Sequence, residues 1–184
     1  MRSGTDWIKL AAKGFAMGAA DLVPGVSGGT IAFISGIYNE LISTIAGLGI
    51  RTLNDLFKVG PIEVWKKYNL RFLVVLVLGL MFAVFTLSGP IHWIQIHYPS
   101  GLRAFFFGLV LASAPIIVRE IRPYKLTDFG WGTLGVVLAL IVTNIPPSFQ
   151  SESPIFIAIC GAIAICAMLL PGISGSFILV ILGA

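Results

Sequence analysis

Charged residues are thinly scattered along this chain, and the hydrophobic ones come in long blocks. Residues 72–90, 104–118, 130–150 and 153–184 carry no charge apart from Glu152 just before the last, and 8–20 and 30–49 are apolar with isolated charges. Runs near 20 residues without an alternating polar face read as helices that span a bilayer. The pattern predicts an all-α polytopic membrane protein with three transmembrane helices within 72–146. They lie between two segments, 8–49 and 155–184, whose apolar runs are each interrupted by one phrase. Its copies are Leu22-Val23-Pro24-Gly25-Val26-Ser27-Gly28-Gly29 and Leu169-Leu170-Pro171-Gly172-Ile173-Ser174-Gly175-Ser176.

Pro24-Gly25 and Pro171-Gly172 are helix breaks, and the Ser/Gly run after each allows a tight turn and a fresh helix start. Each copy therefore reads as the tip of a re-entrant helical hairpin. The first has 8–20 going in and 30–49 coming back; the second has 155–170 going in and a return from Phe177. Because ~20 helical residues reach about 30 Å, a full crossing by 30–49 is also open.

Composition agrees with a single integral membrane domain over 1–184, since 57% of the residues are hydrophobic and 11% charged. The net charge of +4 is distributed by loop rather than in a nucleic-acid pattern. Arg51, Lys58, Lys66, Lys67 and Arg71 fall in one loop and Arg119, Arg122 and Lys125 in another. The turn at 88–103 holds only Arg103, and 144–154 has no base. Both basic loops are thus expected on the cytoplasmic side. Three crossings then separate the two phrases, and an odd number inverts the second relative to the first, the arrangement of inverted-topology repeats. No basic run is interleaved with aromatic residues, so no nucleic-acid partner is expected. Cys160 and Cys166 read as small apolar fillers, and His92 and His97 lack partners at ligand spacing, so no metal is expected. The first apolar stretch is broken by Asp21 and Pro24, which argues against a cleaved signal peptide.

The candidate chemistry lies in the repeated phrase. After the first break the amides of Ser27, Gly28, Gly29 and Thr30 sit at a helix start with two hydroxyls beside them, an arrangement that receives anions, phosphate in particular. Ser174, Gly175 and Ser176 offer the same in the second copy. The plainer alternative is that these small residues only let helices approach closely. Neither phrase is a phosphate-binding loop of the nucleotide-binding kind or a dinucleotide fingerprint, and no nucleophile stands beside a base, so enzymatic activity is not expected. Asp21 is costly at membrane depth, and two roles fit it: binding a coupling proton or cation, or capping the turn's amides. No other cofactor is called for. Lys9 and Lys13 share a helix face and are candidates to attract an anionic headgroup, as well as for snorkelling to the surface, and Arg103 is their counterpart on the outer side.

The stretch 14–42, with Gly18-Ala19-Ala20-Asp21 leading into the first phrase and Gly36-Ile37-Tyr38 after it, resembles the PopT family of bacterial and archaeal polyprenyl-phosphate transporters. So do Ala104-Phe105-Phe106-Phe107-Gly108-Leu109 and the second phrase. The resemblance implies a protein of the plasma membrane that returns undecaprenyl phosphate from the outer to the cytoplasmic leaflet for recycling in cell-wall polymer synthesis. It places the family's re-entrant motifs on 21–30 and 171–176. Members of that family continue well past the second motif, whereas eight residues follow Ser176 here, about 12 Å of helix. The second hairpin is thus expected to be incomplete, with a C-terminal part missing or supplied by a second copy in a homo-oligomer. An ion-coupled transporter of a small soluble anion is the alternative reading.

Overall fold

The structure, a computed structural model, describes residues 2–23, 25–120, 123, 125–144, 153–168 and 170–183. Pro24, Leu169, Arg122 and residues 145–152, read above as part of a turn, lie outside the described residues. Helix α1 (Gly4–Asp21) begins with a reciprocal cap: Ser3 Oγ accepts from the Asp6 amide at 3.4 Å, and Asp6 Oδ2 accepts from the Ser3 amide at 2.8 Å. This satisfies donors that a helix start otherwise leaves unpaired. α1 lies against α6 (Leu70–His97), and the seam between them is made of backbone. A Cβ on Gly18 would sit 2.5 Å from the Leu80 carbonyl oxygen, and one on Gly14 or Gly79 would run into the carbonyl of Leu76 or Ala11. Gly14 and Gly18 are four residues apart and so share one face, the small-x-x-x-small arrangement by which membrane helices approach. Leu10, Met17 and Ala20 complete that face against Phe72, Leu76 and Ala83, and Val23, Val26 and Ile31 extend the core beyond it.

The two helices run in the same direction. Arg71 stacks over Trp7 at 4.3 Å near their starts, while Gly18 is level with Leu80 and Ala83 further on. After the first Pro-Gly turn, α2 (Gly28–Ile34) and α3 (Tyr38–Gly47) run back along α1. Lys13 Nζ donates to the Ser35 carbonyl at 2.6 Å, and Arg2 donates to Glu40 Oε1 at 2.8 Å. Asn69 Nδ2, just ahead of α6, donates to the same carboxylate oxygen at 2.8 Å. Both ends of this hairpin therefore lie at the start of α6, with the tip beyond the level of Ala83. The returning arm, expected as one helix over 30–49, is two. Gly36 has φ 74, its amide bonds to the Phe33 carbonyl and that of Ile37 to the Ala32 carbonyl, both at 3.0 Å. This paired closure ends α2, and only a residue tolerant of positive φ completes it at low cost.

The basic stretch read as a loop at 51–71 contains two short helices, α4 (Ile50–Lys58) and α5 (Pro61–Lys67). α6 also runs further than 72–90, carrying Pro90, His92 and His97, so the turn expected over 88–103 contracts to Tyr98. A proline forfeits one intrahelical bond, and a long apolar helix held elsewhere by its neighbours sustains that loss. Pro99 opens α7 (Pro99–Glu120), where a missing amide donor matters least. α8 (Leu126–Asn144) follows. The spans Leu70–His97, Pro99–Arg119 and Leu126–Asn144 have mean hydropathies of 2.6, 1.9 and 1.6 and are long and apolar enough to cross a membrane. Large apolar side chains such as Phe105, Phe129, Leu138 and Leu140 point away from the core, the condition of helices solvated by lipid. The chain is an all-α multi-pass membrane protein. α9 (Pro154–Met168) and α10 (Gly175–Leu182) fold against one another as a second hairpin.

Candidate functional site

The two turns match at their glycines. Gly25 has φ 88 and Gly172 φ 93. In each turn the next residue's amide bonds back three positions: Val26 to the Val23 carbonyl at 3.1 Å, and Ile173 to the Leu170 carbonyl at 3.3 Å. Such a turn with glycine at its third position requires positive φ there. An extended serine follows in each, Ser27 at φ −120, ψ 124 and Ser174 at φ −94, ψ 125, and each is the cap of a short helix.

The turns also touch, although 142 residues separate the bonded pair: the Gly172 amide donates to Thr30 Oγ1 at 2.9 Å. A Cβ on Gly29 would lie 3.1 Å from the Met168 carbonyl oxygen and 3.2 Å from Ser27 Oγ, so only a small residue fits between the two. This bond and this close approach join Gly29 and Thr30 of the first turn to Met168 and Gly172 of the second, next to which Ser27 and Ser174 are the cap residues of α2 and α10.

Most polar groups at this junction already have partners. Asp21 Oδ1 accepts from the Gly28 amide at 2.6 Å, so the carboxylate caps α2 across the turn, while Ser27, the residue at the cap position, makes no such bond. The Thr30 amide donates to the Ser27 carbonyl at 3.0 Å. Ser174 and Ser176 pair their hydroxyls at 2.9 Å. Ser27 Oγ differs: it is buried, the residue being 4% exposed, and has no hydrogen-bond partner among the described residues. A buried hydroxyl without a partner costs about 1–3 kcal/mol, and Ser27 Oγ is the buried side-chain polar atom left without one among the described residues. Asp21 makes no ion pair among the described residues, where the two salt bridges are Arg2–Glu40 and Lys67–Asp55.

The basic candidates separate. Lys9 and Lys13 line a cavity of about 170 Å³ with Arg2 and Asp6 at the base of the first hairpin, several turns from its tip, and Lys13 is engaged by Ser35. Arg103 lies nearer, lining a cavity of about 300 Å³ with Val23, Gln95 and Leu102. Sequence reasoning missed the wall opposite the turns. Gly135, Ala139 and Thr143 of α8, with Leu138 and Val142, border a cavity of about 580 Å³ whose other sides include Gly25, Gly172 and Phe177. The four-residue spacing of those small side chains was the available signal.

With this geometry in view, known proteins match almost the whole chain. The family model described as undecaprenyl phosphate translocase-like matches residues 17–184. A polyprenyl-phosphate transporter of Vibrio cholerae is 44% identical over 171 residues, which is 93% of this chain and 56% of that protein. One of Staphylococcus aureus is 34% identical over 190 residues, 95% of this chain and 61% of its own length. The chain thus spans somewhat over half the length of these relatives. No solved structure matches it. Because the matched span takes in both turns and every helix from the end of α1 onward, the chain belongs to the undecaprenyl phosphate translocase-like family.

Proposed function

We propose that this chain forms part of a carrier that moves a polyprenyl phosphate, undecaprenyl phosphate in particular, from the outer to the cytoplasmic leaflet for reuse in cell-wall polymer synthesis. The observation that carries the reading is the unpartnered, buried Ser27 hydroxyl at the meeting point of two turns. In this reading the headgroup phosphate takes bonds from Ser27, from the Gly28, Gly29 and Thr30 amides and from Ser174, Gly175 and Ser176. The tail stays in lipid along the apolar cavity beside Leu138, Val142 and Phe177. That apolar wall favours a lipid over a small soluble anion, whose hydration it would not replace. The two hairpins act as inverted, re-entrant repeats, one gating against the other. Arg103 attracts the headgroup from the outer side; Lys9 and Lys13 do so at the other. The protein works as a carrier and performs no covalent chemistry on its cargo.

Asp21 gives this carrier its coupling. Its carboxylate holds the Gly28 amide that an arriving phosphate needs. Two anions cannot share that donor, so the phosphate binds when Asp21 takes up a proton or cation and releases the amide. The inward route needs such coupling, because an inside-negative potential opposes each negative charge by about 2.3 kcal/mol per 100 mV. The test is movement of a fluorescent short-chain polyprenyl phosphate in proteoliposomes of this chain and of the full-length Vibrio cholerae relative, against neutral prenol and inorganic phosphate. The expected result is movement of the lipid phosphate alone, slowed by Ser27→Ala and made independent of pH by Asp21→Asn. Uptake of inorganic phosphate without movement of the lipid phosphate would replace this reading with the soluble-anion one.

A further inference from the structure

Helices α4 and α5 leave their apolar sides uncovered. On α4, Arg51, Asn54, Asp55 and Lys58 share one side, on which Arg51, Asn54 and Lys58 are exposed and Asp55 is half-buried. With Lys67 and Tyr68 that side lines an open cavity of about 530 Å³ against the end of α3. There Asp55 Oδ2 accepts from Lys67 Nζ at 2.6 Å and from the Tyr68 hydroxyl at 2.7 Å. The opposite side presents Ile50, Leu53 and Phe57, spaced three and four apart, outward, and Phe57 is 88% exposed. α5 adds Ile62 and Trp65, three apart and also exposed. A surface helix in water turns such a side toward the core. The outward medium at this corner is therefore apolar.

Three observations identify that medium. Asn69, at φ 50 and ψ 36, turns the chain sharply between α5 and α6, and its side chain is held by Glu40. α5 thus leaves the end of a spanning helix instead of prolonging it. Arg51, Lys58, Lys66, Lys67 and Arg71 gather at this end against Asp55 and Glu63, a positive excess that complements anionic headgroups. Trp65 supplies the amphipathic ring that settles at a membrane interface. Short helices with an apolar side and basic flanks, at the mouth of a spanning helix, lie in the headgroup layer.

We propose that α4 and α5 form an interfacial anchor bound to the anionic phospholipid surface of the leaflet at which α6 begins. Ile50, Leu53, Phe57, Ile62 and Trp65 enter the acyl boundary, and the basic side chains meet lipid phosphates. The anchor sets the level of the first hairpin's base, because α3 leads into it and Asn69 joins it to α6. It stands whatever the turns carry.

The test uses the whole chain, with Cys160→Ala and Cys166→Ala, reconstituted in phosphatidylcholine vesicles with and without phosphatidylglycerol. Nitroxide labels on Leu53→Cys, Asn54→Cys and Phe57→Cys are read by collision with oxygen, which concentrates in lipid, and with a water-soluble nickel chelate. The expected result is an oxygen-to-nickel ratio several-fold higher at 53 and 57 than at 54, and higher with phosphatidylglycerol than without. Equal nickel access at 54 and 57 would overturn the proposal by placing the face in water. Shielding of 57 from both reagents would do so by showing a protein cover, and identical ratios in the two lipids would remove the anionic surface as the partner.

Discussion

The first and second Pro-Gly turns are the same backbone device fitted with different side chains. Each has a glycine near φ 90, a bond back over three residues, an extended serine and a short helix starting one residue later. They part at one equivalent position. In the first turn Asp21 reaches across to the Gly28 amide; in the second Met168 occupies that place, and its side chain would lie 2.5 Å from a Cβ on Gly175. One turn is closed by a charge and the other by a thioether. The repeat therefore keeps its geometry within the chain while giving only the first turn an ionisable group.

The sharpest way to break this comparison is to remove the charge. Asp21→Ala leaves the Gly28 amide without its acceptor and is expected to cost about 2 kcal/mol. Reversible unfolding in detergent micelles measures it, and Asp21→Asn, which keeps an acceptor oxygen, should lose less than half as much. A larger loss from Met168→Ala than from Asp21→Ala would show that the charge is not what distinguishes the turns. Next comes the link between them. Thr30→Val removes the acceptor of the Gly172 amide at nearly constant volume, and that amide should exchange with deuterium about tenfold faster, equivalent to roughly 1.4 kcal/mol. Unchanged exchange would mean that the turns stand without the bond.

The shared backbone is tested by substituting the two turn glycines. A Cβ on Gly25 or Gly172 meets nothing within 4 Å, so Gly25→Ala and Gly172→Ala should each cost about 1 kcal/mol from the positive φ alone. Costs differing by more than about twofold would deny the equivalence. The hairpin bases differ as well, since 153–183 contains no charged residue while the first base holds Arg2, Glu40 and Asn69. Hydrogen bonding from Arg2 holds the Glu40 carboxyl below its ordinary range. A lowered carboxyl stabilises the fold above its unfolded value and loses that contribution as pH falls through its folded value. Acidification below about pH 4.5 should thus raise exchange at α3 and leave α9 unchanged; equal loosening of both would sink the distinction. The last effect, opposite in sign, is expected at Ser27. Its hydroxyl has no partner to lose, so Ser27→Ala relieves a desolvation cost and should stabilise the fold by about 1 kcal/mol while slowing lipid movement. A net loss of stability would reveal a bond to Ser27.

Much of the architecture was legible because it is written in local chemistry. The apolar runs gave the three long helices, and Pro-Gly followed by Ser-Gly gave both turns. What escaped was either non-local or carried by residues with two readings. The Thr30–Gly172 bond joins positions far apart in sequence, and only the repetition of the phrase hinted at it. Asp21 admitted both a cap and a coupling group, and the structure shows the cap. Gly36 stood inside an apolar run whose hydrophobicity concealed a helix end. Pro90 invited a boundary, yet α6 runs through it to His97. The basic loop hid two helices because its apolar residues follow a helical period too short to register beside spanning segments. Lys9 and Lys13 share a face as spacing required, but Lys13 is tied to the Ser35 carbonyl partway along the returning arm.

The glycine seam between α1 and α6 acts as a gauge. With carbonyls meeting backbone at Gly14, Gly18 and Gly79, the seam has no compressible layer of side chains, and sliding by one residue's rise of about 1.5 Å would set Cβ atoms against peptide oxygens. The first turn is consequently metered from α6 and not from the lipid. In a thinner or thicker bilayer the lipid must deform around the pair, while the distance from Asn69 to the turn stays fixed.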